Sequence, residues 1–304
     1  MTPKPQTPLI LLGSRGFRKA FLESCKKFIT IRIRAKREAA NCDPYKLETL
    51  MQPLLYFSYG MTKTGSTLAF QLVRSALDLC GFPQDRVPLD VVNRELQRNF
   101  VNHISPRQLD ELKNEAKKRG YPIALKTHMR PDPCVVKAIQ SGEAIAHACY
   151  RDPRDMALSM LDHGAHSRKT GGEEFAELTG LKDAFTNIRS QHDSLTAWLR
   201  LPNVMPLYFE DIAFNTAETA RRILKQLKLK LDPDVLADVV KTQRFTQKNK
   251  AVPCRYPEEM DVDLSAAIAT EFAPLIERFI TNRSTLTGEI PLPAPQHLRL
   301  SARD

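Results

Sequence analysis

Tyr59-Gly60-Met61-Thr62-Lys63-Thr64-Gly65-Ser66-Thr67-Leu68 is the stretch of this 304-residue chain around which the rest is organised. Leading into it, Leu54-Leu55-Tyr56-Phe57-Ser58-Tyr59 is a nearly continuous apolar run of the kind that forms a short buried strand. Behind it, Leu68, Ala69, Leu72, Val73, Ala76, Leu77 and Cys80 recur at helical spacing, and Gly81 with Pro83 marks a stop. Strand, glycine-bearing turn and helix start, in that order, build a cradle for an anion. The first amides of a helix have no carbonyl partners, and the helix dipole favours negative charge there. Lys63 adds a cation to the turn, and Ser66 and Thr67 add hydroxyl donors.

Gly60 and Gly65 are spaced as in the ATP-binding P-loop, Gly-x-x-x-x-Gly-Lys-Ser/Thr, but Ser66 stands where that loop has its lysine. The lysine lies inside the turn instead, at Lys63. This argues against an ordinary Mg-ATP kinase, whose lysine after the second glycine reaches the β- and γ-phosphates. It suits a loop that meets a group carried on a 5′-phosphate.

Outward from the cradle, strands and helices alternate. Val91–Ile104 and Pro106–Arg119 read as two polar helices, the second with Ser105 as N-cap, Gln108 closing a capping box and Gly120 as its stop. Tyr121–His128 is a strand that turns polar at its end, Pro133–Gln140 a short helix, and Ala144–Tyr150 a third strand with His147 turned into the core. A helix follows Arg151–Asp155, and Ser167–Gly172 reads as a basic, glycine-containing loop. Then come helix 181–200 with Trp198 as a core anchor, strand Val204–Phe209, helices 215–229 and 233–242, an irregular segment 244–260 and a last helix near 262–281. The alternation predicts an α/β fold, a parallel sheet with helices on both faces. Ligands of such sheets bind at the carboxyl ends of the strands, where every polar cluster falls.

Three further clusters carry chemistry. In Arg151-Asp152-Pro153-Arg154-Asp155-Met156-Ala157-Leu158-Ser159, a guanidinium at a strand end can fork onto phosphate oxygens while Ser159 adds a hydroxyl. Lys126-Thr127-His128 places an imidazole at another strand end, and histidine is the side chain best suited to take a proton near neutral pH. Leu207-Tyr208-Phe209-Glu210-Asp211 closes the last strand.

These clusters and the cradle resemble the sulfotransferases that use 3′-phosphoadenosine 5′-phosphosulfate (PAPS). Their 5′ loop reads roughly Pro-Lys-Ser/Thr-Gly-Ser/Thr-Ser/Thr, with Thr62 here in place of proline. Their 3′-phosphate motif is Arg-Asn/Asp-Pro-Arg-Asp-x-x-x-Ser, and many carry Lys-Thr-His and Tyr-x-Glu-Asp segments. The resemblance covers roughly residues 52–282 and implies the P-loop-type sulfotransferase fold, with a sulfuryl group passing from PAPS to an acceptor hydroxyl or amine. It implies Lys63 and His128 as catalytic residues and Thr64, Gly65, Ser66 and Thr67 around the 5′ end. Arg151 and Ser159 would hold the 3′-phosphate, and Phe209 would line the adenine site. No metal is implied, and no metal-ligand spacing is visible. Two departures stand out. Leu68 replaces the family's tryptophan after the loop, and the C-terminal Arg-Lys-Gly-x-x-Gly-x-Trp block is missing. Phe245–Lys250 and Cys254-Arg255-Tyr256 stand in its place, and Phe245 with Lys248, Lys250 or Arg255 is the candidate for closing over the nucleotide.

Composition narrows the alternatives. A hydrophobic content of 42% supports a folded core, and no apolar run approaches the roughly 20 residues of a spanning helix. Of the net charge of +10, residues 1–50 carry +7, so the body is nearly balanced and nucleic-acid binding is not expected. The expected organisation is a basic, partly helical extension (1–50), a sulfotransferase domain (51–285) and a Pro-rich tail (286–304). Within the extension, Phe17, Phe21, Cys25, Phe28 and Ile29 share a helical face amid basic residues. Residues 15–37 thus read first as a solvated helix packed on the domain, with peripheral contact with an anionic membrane and a transit sequence as the other readings. Six scattered cysteines without C-x-x-C spacing indicate a reducing compartment, so the expected location is cytoplasmic, with membrane association open. The acceptor, whether a small molecule, a carbohydrate or a lipid, is not encoded in any motif. A nucleotide kinase, and a non-catalytic nucleotide-binding or peripheral membrane protein, are the alternatives.

Overall fold

The computed structural model describes residues 53–93, 99–243 and 252–281. Four strands, β1 (Leu55–Gly60), β2 (Ile123–Thr127), β3 (Ala144–Tyr150) and β4 (Val204–Tyr208), form a parallel sheet in the order β2-β1-β3-β4. In register, Phe57 lies between Leu125 and Ala146. The chain steps from β1 to β2 on one side and later crosses to β3 on the other. The loops after β1 and β3 therefore diverge, and the crevice that collects ligands in such sheets opens at Gly60 and Tyr150.

Side chains alternate between two layers, as the pleat requires. Leu55, Phe57 and Tyr59 pack with α2 (Pro106–Arg119), α3 (Pro133–Gln140), α4 (Pro153–Thr170) and α5 (Leu181–Leu199). Tyr56, Ala124 and Cys149 pack on the other face with α1 (Ser66–Leu79), through Phe70, Leu72 and Val73. The short α6 (Phe209–Phe214), α7 (Thr216–Leu227) and α8 (Pro233–Gln243) complete that layer. Burial on both faces is why the strands are almost uninterrupted apolar runs.

The two core residues expected from the sequence are in place. Trp198 is buried, stacks on Tyr59 with ring centroids 5.4 Å apart, and donates its indole N–H to the Met129 carbonyl at 2.9 Å. His147 is buried between the Ser58 hydroxyl (2.7 Å) and the Tyr56 hydroxyl (3.2 Å). Tyr56 in turn donates to Gln226 at 2.6 Å, so this buried polar set is satisfied internally. Burial pushes the His147 imidazole down to about 3. Helix α2 begins and ends as expected, with the Ser105–Gln108 capping box and Gly120 at φ 75.

Four expectations need correction. The described part of 91–104 is not helical: Val92 bridges Val101, and Phe100 bridges Lys126 along the outer edge of β2. The backbone of Lys126 donates to Asn99 and accepts from Val101, which holds this segment extended beside the sheet. Ser167–Thr170 is no loop but the last turn of α4, and the chain leaves the helix at Gly171, φ 74. Phe209 does not end β4; it opens α6. The final helix is broken into α10 (Val262–Glu271), α11 (Ala273–Leu275) and a π-helical turn (Ile276–Thr281), with Pro274 at the break; the turn α9 (Tyr256–Glu259) precedes them. The amphipathic stretch 15–37, Phe245, Lys248, Lys250 and the Pro-rich tail lie outside the described residues. Among the described residues no helix is long and apolar enough to cross a membrane.

Candidate active site

The loop after β1 is built by close approach. A Cβ on Gly60 would sit 2.5 Å from the Cβ of Ser66, so only glycine lets α1 begin this near the strand. The backbone then passes through left-handed geometry at Lys63 (φ 63) and Gly65 (φ 73). For Lys63 this costs about 1–2 kcal/mol, which the surrounding contacts must offset. The Thr64 hydroxyl donates to the Met61 carbonyl at 2.6 Å. Gln191 of α5 accepts from the Thr62 N–H (2.6 Å) and donates to its hydroxyl (3.0 Å). Among the described residues no side chain caps α1 at Gly65, and the start of the helix, where backbone N–H groups outnumber their carbonyl partners, lies at the crevice lip.

Cations gather around this helix start. Lys126, buried in β2, donates its Nζ to Thr67 Oγ1 at 2.8 Å. The Lys63 ammonium lies 3.0 Å from His163 Nδ1 on α4. Burial lowers the Lys63 pKa, opposed by the charge of Glu174 and reinforced by Arg151. Ser66 and Thr67 are both buried at the first turn.

His128, just past β2, brings its Nδ1 to 2.6 Å from the Gly60 carbonyl oxygen. A carbonyl only accepts, so Nδ1 carries a proton, and in the neutral ring the lone pair is on Nε2. The ring tilts against Phe100 at 5.6 Å, which fixes its plane.

After β3, Arg151 is buried with its guanidinium 3.8 Å from the Phe209 ring centroid. It donates to Asp155 at 3.1 Å, while its Nε is buried without a hydrogen-bond partner among the described residues. Asp155 also accepts from the backbone of Arg255 (2.9 Å) and Tyr256 (3.0 Å), which ties the C-terminal segment to α4. Ser159, buried, follows Asp155 one turn later on the same face. Arg154 forks onto Asp152 at 2.9 and 2.6 Å and stacks 3.7 Å over Tyr256. Arg255, one candidate for closing over a nucleotide, is instead held by Glu259 (2.7 and 2.6 Å) and Asp162 (2.9 Å).

Phe209 joins the two halves, since its ring lies on Arg151 and would be 3.2 Å from a Cβ on Gly65. The structure thus brings Lys63, Thr64, Gly65, Ser66, Thr67, His128, Arg151 and Ser159 to the ends of β1, β2 and β3, and Phe209 joins them from the end of β4. Lys126 and His163 are additions. Lys126 was visible as a charge inside a buried strand, which demands a partner. His163 had no such signal.

Glu210, beside Phe209, has both carboxylate oxygens buried. Burial pushes its pKa up to about 7, against the lowering effect of Arg151. An unfolded glutamate titrates near 4.5, so between these values the folded protein holds a proton that the unfolded chain has lost. Stability therefore falls as pH rises through this window, by on the order of 3 kcal/mol in full. Glu210→Gln is expected to melt higher than the parent at about pH 8, with the gap closing towards about pH 5. Thermal unfolding of the ligand-free proteins across that range checks this, and a gap independent of pH would show that the carboxyl does not titrate there.

A parallel α/β sheet with a cationic helix start at its switch point defines an α/β protein built to hold an anion at the carboxyl ends of its strands. More narrowly, the family described as "Sulfotransferase domain" matches residues 57–271, and the chain belongs to it. It is a sulfotransferase, which removes the nucleotide-kinase alternative. Among solved structures it is similar to a retinol dehydratase in complex with retinol and PAP, at 15% identity over 74% of this chain and 82% of that one, TM-score 0.46. It is also similar to mouse sulfotransferase SULT7A1 complexed with PAP, at 12% identity, 78% and 89% coverage and TM-score 0.49. A sulfotransferase from Alicyclobacillus acidocaldarius gives 14% identity, 78% and 96% coverage and TM-score 0.42. No curated protein sequence matches the chain.

Proposed function

We propose that the chain transfers a sulfuryl group from PAPS to a hydroxyl or amine of a small-molecule, carbohydrate or lipid acceptor. The observation that carries this reading is the pairing, across Phe209, of two anion-binding features. On one side stands the start of α1 with Lys63 and Lys126; on the other stands buried Arg151, its Nε without a hydrogen-bond partner among the described residues. The residues present fit a nucleotide that carries phosphate at both ends.

PAPS, when bound, supplies the activated sulfuryl group. Amides of Gly65, Ser66 and Thr67, with the Thr64 turn beneath them, hold its 5′ end at the helix dipole. Lys63 and Lys126 offset charge on the oxygens there, and transfer of this kind depends mainly on positioning and charge compensation. Arg151 and Ser159 hold the 3′-phosphate, and the Phe209 face receives the adenine. His128, anchored through Nδ1, takes the acceptor proton at Nε2. A cytoplasmic location with peripheral membrane contact through residues 15–37 completes the proposal.

Calorimetric titration tests it. The protein should bind 3′,5′-adenosine bisphosphate in preference to 5′-AMP and ATP. Arg151→Ala should weaken the bisphosphate by about 1.5–3 kcal/mol, the value of a charged hydrogen bond, and leave 5′-AMP nearly unchanged. Equal losses for both ligands would make Arg151 structural, and preference for ATP would overturn the assignment. Transfer of radiolabelled sulfuryl from PAPS to a panel of phenols, alcohols, sugars and lipids then identifies the acceptor class.

A further inference from the structure

We infer that His163, backed by Glu174, is the positioning residue of Lys63, fixing the loop ammonium through its Nδ1. The inference rests on the proposed role of Lys63 in transfer. The Lys63 Nζ is 3.0 Å from His163 Nδ1, and His163 Nε2 is 3.0 Å from a carboxylate oxygen of Glu174. Each link has one permitted direction. An ammonium only donates, so Nδ1 must carry the lone pair; the ring proton then sits on Nε2 and is donated to Glu174.

This arrangement is built by the fold. His163 lies one turn beyond Ser159 on α4, on the face turned to the crevice. The following segment folds back onto the helix, and Gly164 permits it: a Cβ there would lie 2.2 Å from the Phe175 carbonyl oxygen. The Ser167 hydroxyl donates to the Glu174 carbonyl (2.7 Å), and Arg168 donates to those of Ala176 (2.8 Å) and Leu178 (2.9 Å). These bonds deliver Glu174 to His163 and set Phe175 edge-on to the imidazole at 5.5 Å. The same ring lies 5.9 Å from the Lys63 Nζ.

Lysine is a point charge on a flexible stem, and a fixed acceptor selects one placement among many. A protonated His163 would turn an N–H against that charge. Burial, then Lys63, lowers the imidazole pKa, with Glu174 opposing and His166 adding to the effect. Around Lys63 itself the remaining charges are Arg151 and Asp162. Glu174 is 68% exposed, so solvent weakens its support.

The test combines turnover, binding and spectroscopy. His163→Ala should lower turnover by about 10–10²-fold, the scale of a misplaced group, with KM for PAPS and affinity for 3′,5′-adenosine bisphosphate within about threefold. His163→Asn, whose amide oxygen can accept at the Nδ1 position, should recover most of the loss. In a Lys63→Ala background, His163→Ala should add nothing, because its effect runs through that lysine. Full additivity, or no rescue by Asn, overturns the inference and leaves the role of Lys63 standing. Undiminished turnover in Lys63→Ala alone overturns that role instead. Long-range proton–nitrogen NMR, with the His163 signal identified by its loss in His163→Asn, should show a neutral ring protonated at Nε2. An Nδ1–H tautomer or an imidazolium at neutral pH sinks the inference without any turnover assay.

Discussion

Lys63→Ala is expected to reduce sulfuryl transfer by about 10²–10³-fold, the loss seen when one preorganised donor is removed from a developing charge. Nucleotide affinity should change far less. The loop does not depend on this side chain, because Thr64 closes it onto Met61 and Gln191 clamps Thr62. The α1 amides remain, and Lys126 still brings a second cation to Thr67. Alanine also keeps the left-handed backbone at φ 63 no worse placed than lysine does. Lys63→Arg should not restore activity: a planar fork does not occupy the place of a compact ammonium held 3.0 Å from an imidazole. Single-turnover kinetics beside calorimetry separate the two effects. Parallel losses in rate and affinity would mean that Lys63 binds the nucleotide without acting on the transfer, and an unchanged rate would remove it from the mechanism.

What was legible in the sequence is what local chemistry dictates. The run into Gly60, the helical spacing after Ser66 and the Ser105–Gln108 box each state an element in their own residues, and each element formed. The alternation of elements also implied a parallel sheet, and with it the gathering of Lys63, His128 and Arg151 at strand ends. Misreadings arose where distant backbone decides. Residues 91–104 are polar enough to read as a helix, but Val92 and Val101 pair with one another, and the edge of β2 bonds Asn99 and Val101 through Lys126. His163 was illegible for the same reason. Its partners come from a loop and a fold-back, 100 residues away for Lys63, and the only local trace is Gly164 inside a helix. Arg255 was readable as a cation but not as one already held by Asp162 and Glu259.

His128→Ala should lower turnover by about 10²–10⁴-fold, the contribution of a positioned general base. The nature of that loss can be separated from the loss of a structural tether. His128 bonds the Gly60 carbonyl through Nδ1 at 2.6 Å, so removing the ring also removes a bond to the turn that carries the cradle. His128→Asn keeps an N–H donor near the Nδ1 position and supplies no basic nitrogen. If proton removal is the role, Asn is as slow as Ala and both bind 3′,5′-adenosine bisphosphate as the parent does. If the tether is the role, Asn recovers the rate. A second measurement uses the acceptor. An acceptor that surrenders its proton readily needs a base less, so across a series of graded acidity the loss in His128→Ala should shrink as the acceptor becomes more acidic. A loss of the same size for every acceptor would assign His128 to the architecture of the Gly60 turn, and the base would have to be sought elsewhere along the crevice.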